Sequence, residues 1–229
     1  KIYGFAKGSG MICPNMGTML AYIFIDCEIN RRDLKKLLTD NIEETFNSIS
    51  VDSDTSTSDT LMLFSNPLYK IKLNKNNFNK ISKTLYKVMK ELSYKIISDG
   101  EGVKKLIKVN VKKAKSKSQA KNIAFSISNS PLVKTAIAGE DANWGRVVMA
   151  IGKTREKILQ DKITIKFGNL LLARKGKRNS NVNLSKVDSY MKKNLIEIEV
   201  NLNSGNDSTV VYGNDLNNEY IKINADYRS

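Results

Sequence analysis

The run Thr18–Cys27 (TMLAYIFIDC) is the first constraint on what this chain can fold into. It is almost wholly apolar and has the length of one buried strand, well short of the ~20 residues that cross a bilayer. Before it, Lys7–Gly17 (KGSGMICPNMG) is punctuated by glycines and Pro14 and reads as a tight loop behind a short opening strand. A buried strand needs a covering layer, and the chain supplies amphipathic helices. Arg31–Ile49 spaces Leu34, Leu37, Leu38, Ile42 and Phe46 helically, and Asn77–Ile97 does so with Phe78, Ile81, Leu85, Val88, Met89, Leu92 and Ile96.

Further along, the pattern predicts helices at Ser118–Ile127, Trp144–Ile151 and Lys186–Lys193, with Pro131 breaking the chain. Strands are predicted at Leu61–Phe64, Leu106–Val111, Ile163–Phe167, Leu170–Ala173, Leu195–Asn201, Ser208–Tyr212 and Tyr220–Ile223. Mixed helices and strands make the class α/β or α+β. The Ser/Lys stretch Ala114–Gln119 marks a domain boundary, which gives segments 1–17, 18–115 and 116–229.

Composition narrows the chemistry. The chain has 229 residues and no His, which excludes Ser-His and Cys-His relays and His-ligated metal sites within it. Its two cysteines cannot make a four-thiolate zinc site. Cys13 and Cys27 lie in apolar surroundings and read as reduced thiols of a cytoplasmic protein. The formal charge of +15 invites a nucleic-acid reading. However, lysine dominates arginine 31 to 7, and no aromatics interleave as a stacking platform would need. We therefore expect neither a nucleic-acid nor a membrane partner.

A Thr hydroxyl is a poor nucleophile without an adjacent base. With no His present, an economical base is a freed α-amino group on the same residue. Its ordinary pKa, about 7.7–8.0, suits proton transfer near neutrality. Freeing that amine at Thr18 requires cutting the Gly17–Thr18 bond, which the Thr18 hydroxyl can attack itself. By spacing alone, Gly17–Thr18 also reads as an ordinary strand start.

The segment GSGMICPNMGTML resembles the self-cleavage segment of the ornithine acetyltransferase family, also called glutamate N-acetyltransferase, of arginine biosynthesis. Four further blocks agree in the family's order: SVDSDTSTSDT at Ser50–Thr60, DGEG at Asp99–Gly102, SPLVKTAIAGEDANWGR at Ser130–Arg146 and YIKINADYRS at Tyr220–Ser229. The likeness implies the end of an α subunit, residues 1–17, followed by a β subunit. It implies an N-terminal-nucleophile-like fold, a layered sandwich of sheets flanked by helices, with a nucleophile-bearing lobe at 18–115, a second lobe at 116–229 and the substrate pocket between them.

The resemblance also implies roles. Thr18 is the nucleophile, exposed by cleavage after Gly17. It takes the acetyl group from N-acetyl-L-ornithine and passes it to L-glutamate in a ping-pong exchange. Lys7, Glu101, Asn224 and Ser229 join Thr18 as substrate contacts. No metal and no resident cofactor are implied, although acetyl-CoA is an open question as a second donor. Two α and two β chains assemble in the cytoplasm. The oxyanion hole is a Thr-Gly pair in the family segment that precedes residue 1, so this chain alone is expected to be inactive.

SVDSDTSTSDT lacks EF-hand spacing and reads as a hydrogen-bonded loop near the active site. Trp144 reads as core packing at a helix start capped by Asn143 or Asp141. Gly17 stands where the family commonly has Ala, and Ser229 where it commonly has Thr. Alternative readings are a self-cleaving aminopeptidase of similar fold and a basic nucleic-acid-binding protein.

Overall fold

The computed structural model describes residues 1–13, 19–56, 58–68 and 73–227. They form two compact units, Lys1–Gly100 and Glu101–Ser229.

In the first unit, β1 (Ile2–Lys7), β2 (Leu20–Ile25) and β3 (Thr60–Ser65) form a three-stranded sheet in that order. β1 runs antiparallel to β2, pairing Lys7 with Leu20, and β3 runs parallel to β2, pairing Leu20 with Thr60. Period-two alternation divides the side chains between the two faces. Ala21, Ile23, Ile25 and Leu61 are buried. On that face lie α1 (Arg31–Ile42) and α2 (Lys75–Ser98). Gly4 lets α2 approach closely, since a Cβ there would stand 2.8 Å from the Leu92 side chain. Each helix starts where an Asn side chain accepts an orphan amide: Asn30 from Asp33 and Asn74 from Asn77. The predicted stripe on α2 buries Leu85, Met89, Leu92 and Ile96.

The opposite face carries an aromatic ladder. Phe5 and Tyr22 have ring centroids 5.4 Å apart, and Phe24 and Phe64 stack at 4.9 Å with planes 12° apart. Tyr3, Phe5, Phe24, Met62 and Phe64 are all exposed, and Lys7 ends the same row on β1.

In the second unit, β4 (Leu106–Ala114), β5 (Thr164–Phe167), β6 (Leu170–Arg174), β7 (Lys177–Arg178), β8 (Leu195–Asn201) and β9 (Asp207–Asn214) form a mixed sheet ordered β7-β6-β5-β8-β4-β9. The central pair, β4 and β8, is parallel, and its other neighbours run antiparallel. α3 (Lys117–Ser128) packs on β4 and β9. α4 (Pro131–Ala138) and α5 (Trp144–Gly152) pack against α3. One apolar core runs through Val109, Val111, Ile123, Ile127, Val147, Ile151, Ile198 and Val200, with α6 (Leu184–Met191) adding Val187 and Met191. Trp144 packs half-buried on this core at a helix start capped by Asn143, as expected.

The expected class, α/β with sheets flanked by helices, holds. Three details differ from the sequence expectation. Pro131 begins a helix instead of only breaking one. It occupies the first turn, where its missing N–H costs nothing, and Ser130 caps it by accepting from Val133. Tyr220–Ile223 is not a strand but part of α7 (Asn218–Asp226). Four apolar-alternating residues do not separate strand from helix, and the Asn217 side chain decides the matter by capping the amide of Glu219. Finally, the Ala114–Gln119 stretch lies inside the second unit, between β4 and α3. The division between units falls in the DGEG turn.

Candidate active site

The segment expected to be cut is held on both sides by one acidic loop. Asp52 accepts the amides of Met11, at 2.7 Å, and Ile12, at 3.1 Å. The Val51 amide donates to the Ile12 carbonyl at 2.8 Å. Beyond the segment, Asp59 accepts the amide of Met19 at 2.7 Å, and the Thr60 amide returns a bond to the Met19 carbonyl at 3.0 Å. Ile12 and Met19 are buried as well. Thus the loop before β3 fastens the chain immediately upstream and downstream of Pro14–Thr18. Gly17 and Thr18 themselves lie outside the described residues.

Asp59 is the unusual member of this clamp. Oδ1 carries the Met19 bond, while Oδ2 is buried with no hydrogen-bond partner among the described residues. Burial pushes its carboxyl above the usual value and outweighs the opposing pull of the Met19 amide. The Cys27 thiol is also pushed up, by burial first, and it donates to the Glu28 carbonyl. A buried thiol kept protonated is a poor nucleophile. Among the described residues neither Cys13 nor Cys27 is in a disulfide.

Lys7, the expected cationic contact, sits exposed at the end of β1, in register with Leu20. In the second unit the other two described candidates meet. The Asn224 amide on α7 donates to Glu101 Oε2 at 2.8 Å. The turn holding Glu101 is locked to the start of α7. The Asn217 side chain donates to the Gly102 carbonyl at 2.7 Å and to Asp215 at 2.9 Å, and Asp215 accepts the amides of Lys104 and Lys105. Gly102 has φ +67°, and a Cβ there would lie 2.4 Å from the Tyr220 nitrogen, so only glycine fits. Ser229 lies outside the described residues. Among the described residues no group of three or more His, Cys, Asp or Glu could hold a metal ion, and no helix is long and apolar enough to cross a membrane.

Sequence reasoning expected the acidic loop near the site but did not single out Asp52, Asp59 or Asn217. The Asp/Ser/Thr composition of the loop signals hydrogen bonding. It does not signal which amides, some forty residues away, the two carboxylates would find.

The model of the ArgJ family matches residues 1–229. Proteins described as "Arginine biosynthesis bifunctional protein ArgJ" from Brucella melitensis and Bartonella henselae are each 46% identical to the whole of this chain, which spans 57% of their length. The crystal structure of the protein of that description from Bacillus halodurans superposes with a TM-score of 0.84 at 34% identity, covering 92% of this chain and 100% of that one. Matched by that family model along its whole length, this chain belongs to the ArgJ family.

Proposed function

We propose that this chain is the acetyl-transferring part of an arginine-biosynthesis enzyme that moves the acetyl group of N-acetyl-L-ornithine to L-glutamate. The observation that carries the reading is the Glu101–Asn224 hydrogen bond, which joins two sequence blocks expected to contact the same substrate. The chemistry begins with cleavage of the Gly17–Thr18 bond, which frees the Thr18 α-amine. The Thr18 oxygen then attacks the acetyl carbonyl. Its proton passes through the α-amine to the departing ornithine nitrogen, leaving an acetyl ester on Thr18. The amine of glutamate attacks that ester, and the Thr18 oxygen recovers its proton. Splitting one amide-to-amide exchange at an ester gives ping-pong kinetics.

Lys7 supplies a cation for the carboxylate common to both substrates. Glu101, held by Asn224, supplies a carboxylate for the ornithine ammonium, and Ser229 a hydroxyl. The acetyl group travels on the enzyme's own oxygen, so no resident cofactor and no metal are required; acetyl-CoA is the second donor to assay.

The exposed aromatic ladder supports a further part of the reading. An apolar sheet face of this kind is normally covered, and the family's preceding segment, which also brings the oxyanion-hole donors, is the cover we assign to it. Losing one such donor costs about a hundred- to a thousandfold in rate, so residues 1–229 alone are inactive. The working enzyme holds two α and two β chains in the cytoplasm.

The test is intact mass and N-terminal sequencing of the full-length protein, followed by trapping of labelled acetyl groups. A new N-terminus at Thr18, with label on its side chain and none in Thr18→Ala, is expected. Label on any other residue, or a Thr18→Ala chain cut at the normal rate, ends the proposal.

A further inference from the structure

From the last residue of β9 to the cap of α7, the chain reads Asn214, Asp215, Leu216, Asn217, and each of the four is tied to an earlier part of the second unit. The Lys134 ammonium, on α4, donates to Asn214 Oδ1 at 2.9 Å, and both side chains are buried. The Leu216 amide donates to the Lys134 carbonyl at 3.4 Å. Asp215 is only 4% exposed. Its Oδ1 accepts the amides of Lys104 and Lys105, each at 3.0 Å, and its own amide donates to the Lys105 carbonyl at 2.9 Å. Its Oδ2 accepts from Asn217 Nδ2 at 2.9 Å. The same Asn217 nitrogen donates to the Gly102 carbonyl at 2.7 Å, and Asn217 Oδ1 caps α7 by accepting the Glu219 amide at 2.9 Å.

Apolar packing asks for none of these bonds. Taking a carboxylate and an ammonium out of water is costly, and what a buried hydrogen-bonded cluster returns is fixed position. What it fixes is the Glu101–Asn224 pair. Gly102, whose carbonyl Asn217 holds, directly follows Glu101, and Asn224 lies on the helix that Asn217 caps. One side chain therefore sets both partners of the 2.8 Å Glu101–Asn224 bond, the turn through its nitrogen and the helix through its oxygen. An amide is suited to this, with two hydrogens at one end and an acceptor at the other. Ser or Asp caps a helix as well, but Asp brings no donor, and the Ser hydroxyl brings one hydrogen on a shorter arm.

We propose that Asn217, backed by Asp215, is a positioning residue of the substrate site, and that it sets selectivity for a donor with a cationic side chain by holding the Glu101 carboxylate in place. The proposal rests on the reading that Glu101 meets the ornithine ammonium. A charge-assisted hydrogen bond weakens steeply as its distance and angle depart from the optimum. A Glu101 turn freed from Asn217 loses that bond first. A ligand of the same shape without the ammonium never makes the bond and has nothing to lose.

The test compares the full-length enzyme as wild type, Glu101→Gln, Asn217→Ser, Asn217→Asp and the double variant Glu101→Gln/Asn217→Ser. Two quantities are measured: kcat/KM for N-acetyl-L-ornithine, and Ki for N-acetyl-L-norvaline, the isostere that lacks only the side-chain ammonium. Asn217→Ser should lower kcat/KM about fivefold, less than Glu101→Gln does. It should add nothing in the Glu101→Gln background and leave Ki for the neutral isostere unchanged. Asn217→Asp, an equally good cap, should show the same pattern, and it decides the matter if Asn217→Ser does not fold. Unchanged kcat/KM in the folded variants, full additivity with Glu101→Gln, or an equal weakening of the neutral isostere overturns the positioning role, while a reduced kcat/KM in Glu101→Gln leaves the Glu101 reading standing. If Glu101→Gln itself uses N-acetyl-L-ornithine as well as wild type, that reading falls and takes the proposal with it.

Discussion

Asn224 and Glu101, 123 residues apart in sequence, share a 2.8 Å hydrogen bond, and the same Asn224 amide also donates to the Tyr220 carbonyl at 3.0 Å. One oxygen of Glu101 is thereby aimed by a helix whose own start is tied to the neighbouring turn. Among the described residues nothing else binds that carboxylate, which leaves it able to accept from a cationic substrate. Glu101→Gln should raise KM for N-acetyl-L-ornithine about tenfold, the loss of one charge-assisted bond. Asn224→Ala should have a smaller effect, and the double variant should be less than additive by on the order of 1 kcal/mol. Steady-state kinetics of the four proteins tests this, and strict additivity would show that the pair does not act together.

Gly102→Ala should act through the same junction. A methyl group at φ +67° costs about 1–3 kcal/mol in backbone strain, and it also meets the Tyr220 nitrogen. Both a lowered Tm and a raised KM are expected, because the start of α7 must move and carry Asn224 with it. A variant that loses stability with unchanged KM would separate the turn from the substrate site.

Asp59→Asn should stabilise the folded protein at neutral pH. The folded carboxyl titrates above its ordinary value of 3.8. Below that value both folded and unfolded chains are protonated and stability is at its full level. As pH rises from there through the folded value, the unfolded chain releases its proton first and stability is lost. Asparagine carries no such loss, so the Tm difference between variant and wild type should open between acid and neutral pH. A constant difference would mean that Asp59 is not desolvated.

Glu199 works in the opposite direction. Burial pushes its carboxyl up, but the hydrogen bonds and charges of Lys112 and Lys166 outweigh this and hold it below 4.5. Its contribution is therefore present above the ordinary value and lost as pH falls through the folded value. Glu199→Gln should destabilise by on the order of 1 kcal/mol at neutral pH and by nothing in strong acid. Denaturant melts at the two pH values measure the difference.

Local physics made much of this molecule readable beforehand. The α2 stripe and the helix start at Trp144, with Asn143 or Asp141 as its cap, depend on residues within one or two turns of each other and were recognisable from spacing, whereas β2, read as one buried strand, buries only one face and leaves Phe24 exposed. The acidic loop was recognisable as polar and hydrogen-bonded. Its partners were not, because Asp52 and Asp59 reach amides about forty residues back, across the β2–β3 pairing. Tyr220–Ile223 misled for a related reason: its alternating apolar residues fit either period, and the choice went to Asn217, which caps α7 and at the same time holds a carbonyl 115 residues earlier.

By itself, then, the chain of residues determined its buried helical stripes, the α/β class and the order of its blocks, all of which follow from short-range sterics and burial. Only the tertiary structure decided that Asp59 would bond the Met19 amide through one oxygen and keep the other dry, and that Glu101 would face Asn224. A hydrogen bond selects its partner by distance and direction in space, and neither is set until the sheets and helices have packed.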